Sequence, residues 1–176
     1  NDTATSEFYT LLVVGSVRCV YVTEYRGAWR LARALGRWYG ASLAESGLYG
    51  DVDAVVPLPL HPLKRIRRGY NQAEYLAEGI AAQLGAAVDR RSVRRCRNTA
   101  SQTLKSRRER AGNVENAFAV RHPERLAGKH ILLVDDVMTT GSTLASCAAA
   151  ILQAVPDCRI SLAALAVSRR ELGLEQ

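Results

Sequence analysis

The sequence predicts an α/β domain built on a parallel sheet. Three observations carry that reading. Apolar runs rich in β-branched residues alternate with stretches of 3.6-residue apolar period. One of those runs, Val52 to Val56, is short and apolar apart from Asp53, as strands covered on both faces are. The composition, 176 residues with 48% hydrophobic and 23% charged, is that of a single globular domain and excludes disordered and fibrous classes.

The elements follow in order. Tyr9 to Val14 and Arg18 to Thr23 are β-rich runs separated by Gly15-Ser16, a pattern that predicts a hairpin. Ala28, Leu31, Ala32, Leu35 and Trp38-Tyr39 then recur at helical spacing up to about Gly47. Val52 to Val56 reads as a buried parallel strand stopped by Pro57-Leu58-Pro59. Asn71 with Glu74 three residues on resembles a capping box; Ala73, Leu76, Ala77, Ile80, Ala81 and Leu84 form the stripe behind it, and Gly85 ends the helix. Arg90 to Asn113 has few large apolar residues and predicts a long mobile loop flanked by short strand pieces. Ala117 to Val120, Ile131 to Val134 and Ile160 to Val167 supply further strands. Leu144, Cys147, Ala148, Ile151 and Val155 mark a last helix, stopped by Pro156. Residues 1–50 are expected to form a hood of hairpin plus helix in the same domain as a core over residues 51–176.

Lys and Arg outnumber Asp and Glu by 24 to 17, a net charge of +7. The surplus is local, since between Lys64 and Arg110 thirteen basic residues face four acidic ones. Such a segment attracts polyanions, either a multiply phosphorylated small molecule or a nucleic acid backbone. The four cysteines, at 19, 96, 147 and 158, include no C-x-x-C pair, so neither a zinc site nor a disulfide framework is expected. No apolar run approaches the ~20 residues of a membrane span, and no secretory signal is seen, so a cytoplasmic protein without membrane insertion is expected. The chain opens Asn1-Asp2-Thr3 rather than on Met, as a piece of a longer protein would.

The chemistry concentrates in Ile131-Leu132-Leu133-Val134-Asp135-Asp136-Val137-Met138-Thr139-Thr140-Gly141-Ser142-Thr143. An apolar strand runs into two adjacent carboxylates, then a loop of small hydroxyl residues, then a helix. Backbone N–H groups at that helix start, together with the hydroxyls, form a cradle for a phosphate, and Gly141 lets the backbone come close. Carboxylates beside a phosphate site are better placed to accept hydrogen bonds from sugar hydroxyls, with Mg²⁺ bridging elsewhere on the ligand. The combination points to a ribose 5-phosphate.

These thirteen residues resemble the 5-phosphoribosyl-1-pyrophosphate (PRPP) motif of type I phosphoribosyltransferases. Val56-Pro57-Leu58-Pro59-Leu60-His61-Pro62, Arg67-Arg68-Gly69-Tyr70-Asn71-Gln72-Ala73 and Arg97-Asn98-Thr99-Ala100-Ser101-Gln102, with Arg110, Asn113 and Ala117-Phe118, further resemble the ComF family of bacterial competence-associated proteins, over about Asp51 to Arg169. The Cys-rich zinc module that commonly opens that family's chains has no counterpart here.

The resemblance implies the type I phosphoribosyltransferase fold with the hairpin and first helix as its hood. It implies a Mg²⁺-dependent transfer of ribosyl 5-phosphate to a nitrogen nucleophile with release of diphosphate, in a protein linked to competence and DNA uptake. Asp135 and Asp136 would hold the ribose, and Val137, Met138, Thr139, Thr140, Gly141, Ser142 and Thr143 the PRPP phosphate. Leu58 and Pro59 would form the diphosphate-side loop. Arg67, Arg68, Tyr70, Asn71 and Gln72 would meet the diphosphate or an acceptor, a forked guanidinium being suited to bidentate phosphate recognition. Gln102, Lys105, Arg107, Arg108 and Arg110 would belong to a loop that closes over the leaving diphosphate. His61, His122 and His130 form no constellation and are given no catalytic role. Partners are PRPP or ribose 5-phosphate and, in a rival reading, single-stranded DNA or competence proteins, with the PRPP site a relic or sensor.

Overall fold

Five runs of aliphatic and β-branched residues pair into one sheet in the computed structural model, which describes residues 11–13, 28–61, 66, 69–96 and 117–167. Helices are α1 (Ala28–Glu45), α2 (Gln72–Leu84) and α3 (Ser142–Ala154). Strands β1 (Leu11–Val13), β2 (Ala54–Pro57), β3 (Ala87–Val88), β6 (His130–Met138) and β7 (Arg159–Val167) lie in the order β1-β7-β6-β2-β3, each pair parallel. Strands β4 (Val93–Arg95) and β5 (Phe118–Val120) form a separate antiparallel pair. The predicted α/β class is therefore the fold.

Three expectations change in detail. Leu11–Val13, expected in an appended hairpin, pairs in parallel with β7 and belongs to the central sheet; the run expected as its hairpin partner lies outside the described residues. The strand expected to stop at Val134 continues to Met138, because β7 goes on pairing beside it, Val137 with Ala166 and Met138 with Val167. The start of the expected loop is built structure. Asp89 is buried and accepts from the N–H groups of Arg91 and Ser92 (2.8 and 3.0 Å), the Ser92 hydroxyl (2.6 Å) and Arg125 Nε (3.1 Å). Burial works against that charge, yet these donors hold the carboxyl below its ordinary value.

Alternation along β6 divides the core. Ile131 and Leu133 pack with Leu144, Cys147 and Ile151 of α3 and with Phe118 of β5. Leu132 and Val134 pack on the other face with Tyr39 and Leu43 of α1 and Leu76 and Ile80 of α2. Both faces of the parallel sheet are thus covered, as its apolar strands require.

The second face depends on helices that touch backbone to backbone. A Cβ on Gly36 would collide with the Leu76 carbonyl oxygen, and one on Gly79 with the Arg33 carbonyl oxygen and, at 2.6 Å, with Arg37 N. Gly40 meets Ile80 Cα in the same way, at 2.8 Å. Contacts advance along both helices together, so α1 and α2 run parallel. Since α2 leaves the carboxyl end of β2, the start of α1 opens at that same end of the sheet.

At the opposite end a polar clasp joins three segments. His130 is buried, with Nδ1 2.8 Å from Asp51 Oδ1 and Nε2 2.9 Å from Ser161 Oγ, while its backbone N–H donates to Asp53 Oδ2 at 2.9 Å. Arg159 pairs with Asp51 beside it. Burial lowers the ring's pKa, and the charge of Asp53 only partly offsets this.

Two outcomes test these contacts. Helix propensity alone would make Gly79→Ala stabilising by about 1 kcal/mol, whereas collision with backbone atoms makes it destabilising by about 1–3 kcal/mol; chemical denaturation should give the second sign, with the open position Gly50→Ala near neutral. Because folding disfavours the protonated His130, the unfolded chain takes up a proton that the native state refuses, so stability is whole above the ordinary value of 6.5 and falls as pH drops below it. Melting curves from pH 8 to 5 should show that slope, and His130→Gln should flatten it.

Candidate functional site

Connections from the two middle strands leave in opposite directions. From β2 the chain passes through α2 to β3, and from β6 through α3 to β7 on the other side. The carboxyl ends of β2 and β6 therefore flank a topological switch point, the place where open α/β sheets bind ligands. Pro57 pairs with Val134, and Leu58 N–H donates to the Val134 carbonyl at 2.7 Å, pinning the exit of β2 against β6.

On the β6 side stand the two carboxylates. Asp136 N–H donates to Asp135 Oδ1 and Val137 N–H to Asp136 Oδ1, both at 2.9 Å. Alternation puts Asp135 on the face of Ile131 and Leu133, and there its electrostatic neighbours lie, Arg95 of β4 and the Cys147 thiol of α3. Burial pushes the Asp135 carboxyl well above the usual carboxylate range; the charge of Asp136 and a hydrogen bond between the two carboxyls push the same way, against the Asp136 amide and the Arg95 guanidinium. A carboxyl held in this state is more frequent at functional sites than elsewhere.

Beyond Met138 comes the hydroxyl loop. Gly141 takes φ 69° and caps α3, a left-handed conformation that glycine adopts without strain, and no side chain bonds the cap. Thr140 Oγ1 lies 2.8 Å from Ser142 Oγ and accepts from Ser142 N–H at 3.4 Å. Thr139, Thr140 and Ser142 are exposed, with Thr143 in the first helical turn. A helix start with exposed hydroxyl residues has the chemistry to receive an anion. Val137 and Met138, expected in that loop, are half-buried strand residues that carry it.

On the β2 side the predicted residues divide. Leu58 is buried, its N–H is spent on Val134, and its carbonyl accepts from Asn71 Nδ2 at 3.1 Å, so neither group is turned to a ligand. Pro59 has no N–H to offer. Asn71 is buried, and its Oδ1 caps α2 by accepting from Ala73 N–H at 3.3 Å. This side chain therefore ties the β2 exit to the helix start. Gln72 is also buried. Tyr70 is half-buried and meets Tyr75 edge-on, centroids 6.0 Å apart; Tyr75 meets Trp29 of α1 at 5.7 Å, and the Arg30 guanidinium lies 5.1 Å from the Trp29 centroid. Arg67, Arg68, Gln102, Lys105, Arg107, Arg108 and Arg110 lie outside the described residues.

Sequence reasoning misses two members: Arg95 enters it only as one residue of the basic segment, and Trp29 is not singled out at all. Both reach the site region through contacts distant in sequence, which no local pattern carries.

Residues 70–175 match the phosphoribosyl transferase domain family. The chain is 42% identical over 101 residues to the DNA utilization protein YhgH of Salmonella typhi, covering 57% of this chain and 44% of that protein. It is 37% identical over 93 residues to competence protein F of Haemophilus influenzae, covering 52% and 41%. The matches thus span less than half the length of these relatives. Among solved structures, the glutamine PRPP amidotransferase of B. subtilis complexed with ADP and GMP is similar over 77% of this chain and 26% of its own, with TM-score 0.52 at 17% identity, a likeness of fold.

The raised carboxyl at Asp135 sets a further expectation. Its ionisation opposes folding, since a folded value above the ordinary 3.8 withdraws stability as pH rises through it. Asp135→Asn should therefore melt at a higher temperature than the parent protein at pH 7, and a lower melting temperature would contradict the burial argument.

Proposed function

The chain belongs to the phosphoribosyl transferase domain family, with the ComF proteins as its relatives, and from that premise we propose that it binds PRPP at the switch point. In this reading the 5-phosphate sits in the cradle of Thr139 to Thr143, and the ribose hydroxyls donate to Asp135 and Asp136. The diphosphate lies toward the β2 exit and the basic segment of Arg67, Arg68, Gln102, Lys105, Arg107, Arg108 and Arg110. One observation carries the reading: the acidic pair and a hydroxyl-rich helix start, whose N-cap Gly141 brings no side chain, stand side by side where the sheet's connections diverge.

The reaction proposed is transfer of ribosyl 5-phosphate to a nitrogen nucleophile with release of diphosphate, driven by positioning and by stabilisation of the departing charge. Among the described residues no group of three or more His, Cys, Asp or Glu could hold a metal. The acidic pair therefore fits Mg²⁺ only as an ion carried in by the diphosphate, whose charge it would neutralise. A cytoplasmic setting and a link to DNA uptake belong to the same proposal. Support for these is the naming of the relatives and the fact that no described helix is long and apolar enough to cross a membrane.

A second reading, binding of single-stranded DNA, gains from the aromatic row Tyr70, Tyr75 and Trp29 topped by Arg30, since stacking bases need such faces. Calorimetry separates the two. Asp135→Asn/Asp136→Asn should weaken PRPP binding by about ten- to a hundredfold, the worth of charge-assisted hydrogen bonds; equal affinities would end the assignment. Replacing Arg107, Arg108 and Arg110 together by Ala should lower PRPP affinity and leave the salt dependence of any DNA binding intact. A salt slope reduced by roughly 0.7 per lost contact, with PRPP affinity unchanged, would favour the second reading.

A further inference from the structure

Arg95 of β4 has no part in the roles assigned so far. Its register puts it opposite Phe118, and its guanidinium carbon lies 5.4 Å from the centre of that ring. Phe118 is buried in one cluster with Leu133, Leu144 and Cys147, on the face of β6 to which alternation assigns Asp135. The ring thus holds the guanidinium at the rim of this cluster, where Asp135 follows Leu133 by two residues. A guanidinium keeps its charge when stacked on an aromatic face and is weakly hydrated there, which suits it to a half-buried position.

We propose that Arg95 is a positioning residue for the candidate site: seated on Phe118, it is the fixed positive charge that holds the Asp135 carboxylate ready to accept from the hydroxyls of a bound ribose. This rests on the ribose-phosphate reading of the site. The electrostatics of all three neighbours agree with the geometry. Burial and Asp136 disfavour the charge of Asp135, and Arg95 favours it. Burial lowers the pKa of Arg95 itself, and Asp135 works to restore it. Burial keeps the Cys147 thiol neutral; Asp135 adds to that effect and Arg95 opposes it. The chemistry requires such a partner. A protonated carboxyl gives up its charge and one acceptor position, whereas the ionised form accepts from two hydroxyls with charge assistance.

The test reads Asp135 directly and then its ligand. Carboxyl NMR of aspartate-labelled protein, with Asp135→Asn to assign the signal, gives the titration midpoint without any ligand. Arg95→Met should raise that midpoint by about one pH unit, and Arg95→Lys should stay near the parent. PRPP affinity of Arg95→Met should fall about tenfold below the parent's midpoint, the equivalent of one unit, and recover above the new one. Should Arg95→Met fail to fold, Phe118→Leu keeps the charge but removes its seat, and the midpoint should rise by less. An unmoved midpoint overturns the proposal, as does a loss of PRPP affinity by the same factor at every pH, which is the signature of packing alone. If the parent protein binds no PRPP at any pH, the ribose-phosphate reading fails and takes the positioning role with it. The midpoint then still reports whether Arg95 sets the charge of Asp135.

Discussion

The crossing of α1 over α2 at Gly36 and Gly79 is the contact on which the rest of the molecule depends. Backbone meets backbone there, and any side chain at either position would force the helices apart. Because they touch, Tyr39 and Leu43 of α1 reach the sheet beside Leu76 and Ile80 of α2, and the face of Leu132 and Val134 is closed. The same closeness fixes the direction of α1. Running parallel to α2, it delivers Trp29 to Tyr75 at the end of the sheet where β2 and β6 leave off. A packing constraint in the middle of two helices thus decides which side chains stand beside the candidate site.

Much of this architecture is legible in local sequence, for identifiable reasons. Ile131 to Val134 lie in a strand because an aliphatic run of that kind must be covered on both faces, and Asn71 and Gly85 bound a helix because their side-chain and backbone chemistry suits its ends. The acidic pair and hydroxyl loop are contiguous, so their juxtaposition survives in the linear text. What escapes is set by pairing across long separations. Leu11–Val13 look like a hairpin arm until β7 is seen beside them, and Val137 and Met138 look like loop until Ala166 and Val167 extend the ladder. Arg95 looks like one basic residue among thirteen until Phe118 and Asp135 surround it.

Asn71 carries two expectations, a helix cap from its spacing to Glu74 and a ligand contact from the family resemblance, and the structure shows the first. In the fold its amide is divided between the α2 cap and the Leu58 carbonyl, so it joins the exit of β2 to the helix that follows. Leu58 is engaged in the same way through Val134. The switch point is held rigid by these bonds on one side and left open on the other, where Thr139, Thr140 and Ser142 face solvent. A site built so has one wall that sets distances and one that receives the ligand.

The sheet is also tapered. Two of its three interior strands, β6 and β7, have nine residues each, while the strands at its margins, β1 and β3, have three and two in the described structure. A long marginal strand would present a row of unsatisfied N–H and C=O groups, an invitation for another chain to add itself. Here the longest ladder, that of β6 with β7, lies inside the sheet, and the marginal strands offer three and two residues among those described. Among the described residues, the longest paired backbone of the sheet is thus kept away from its margins.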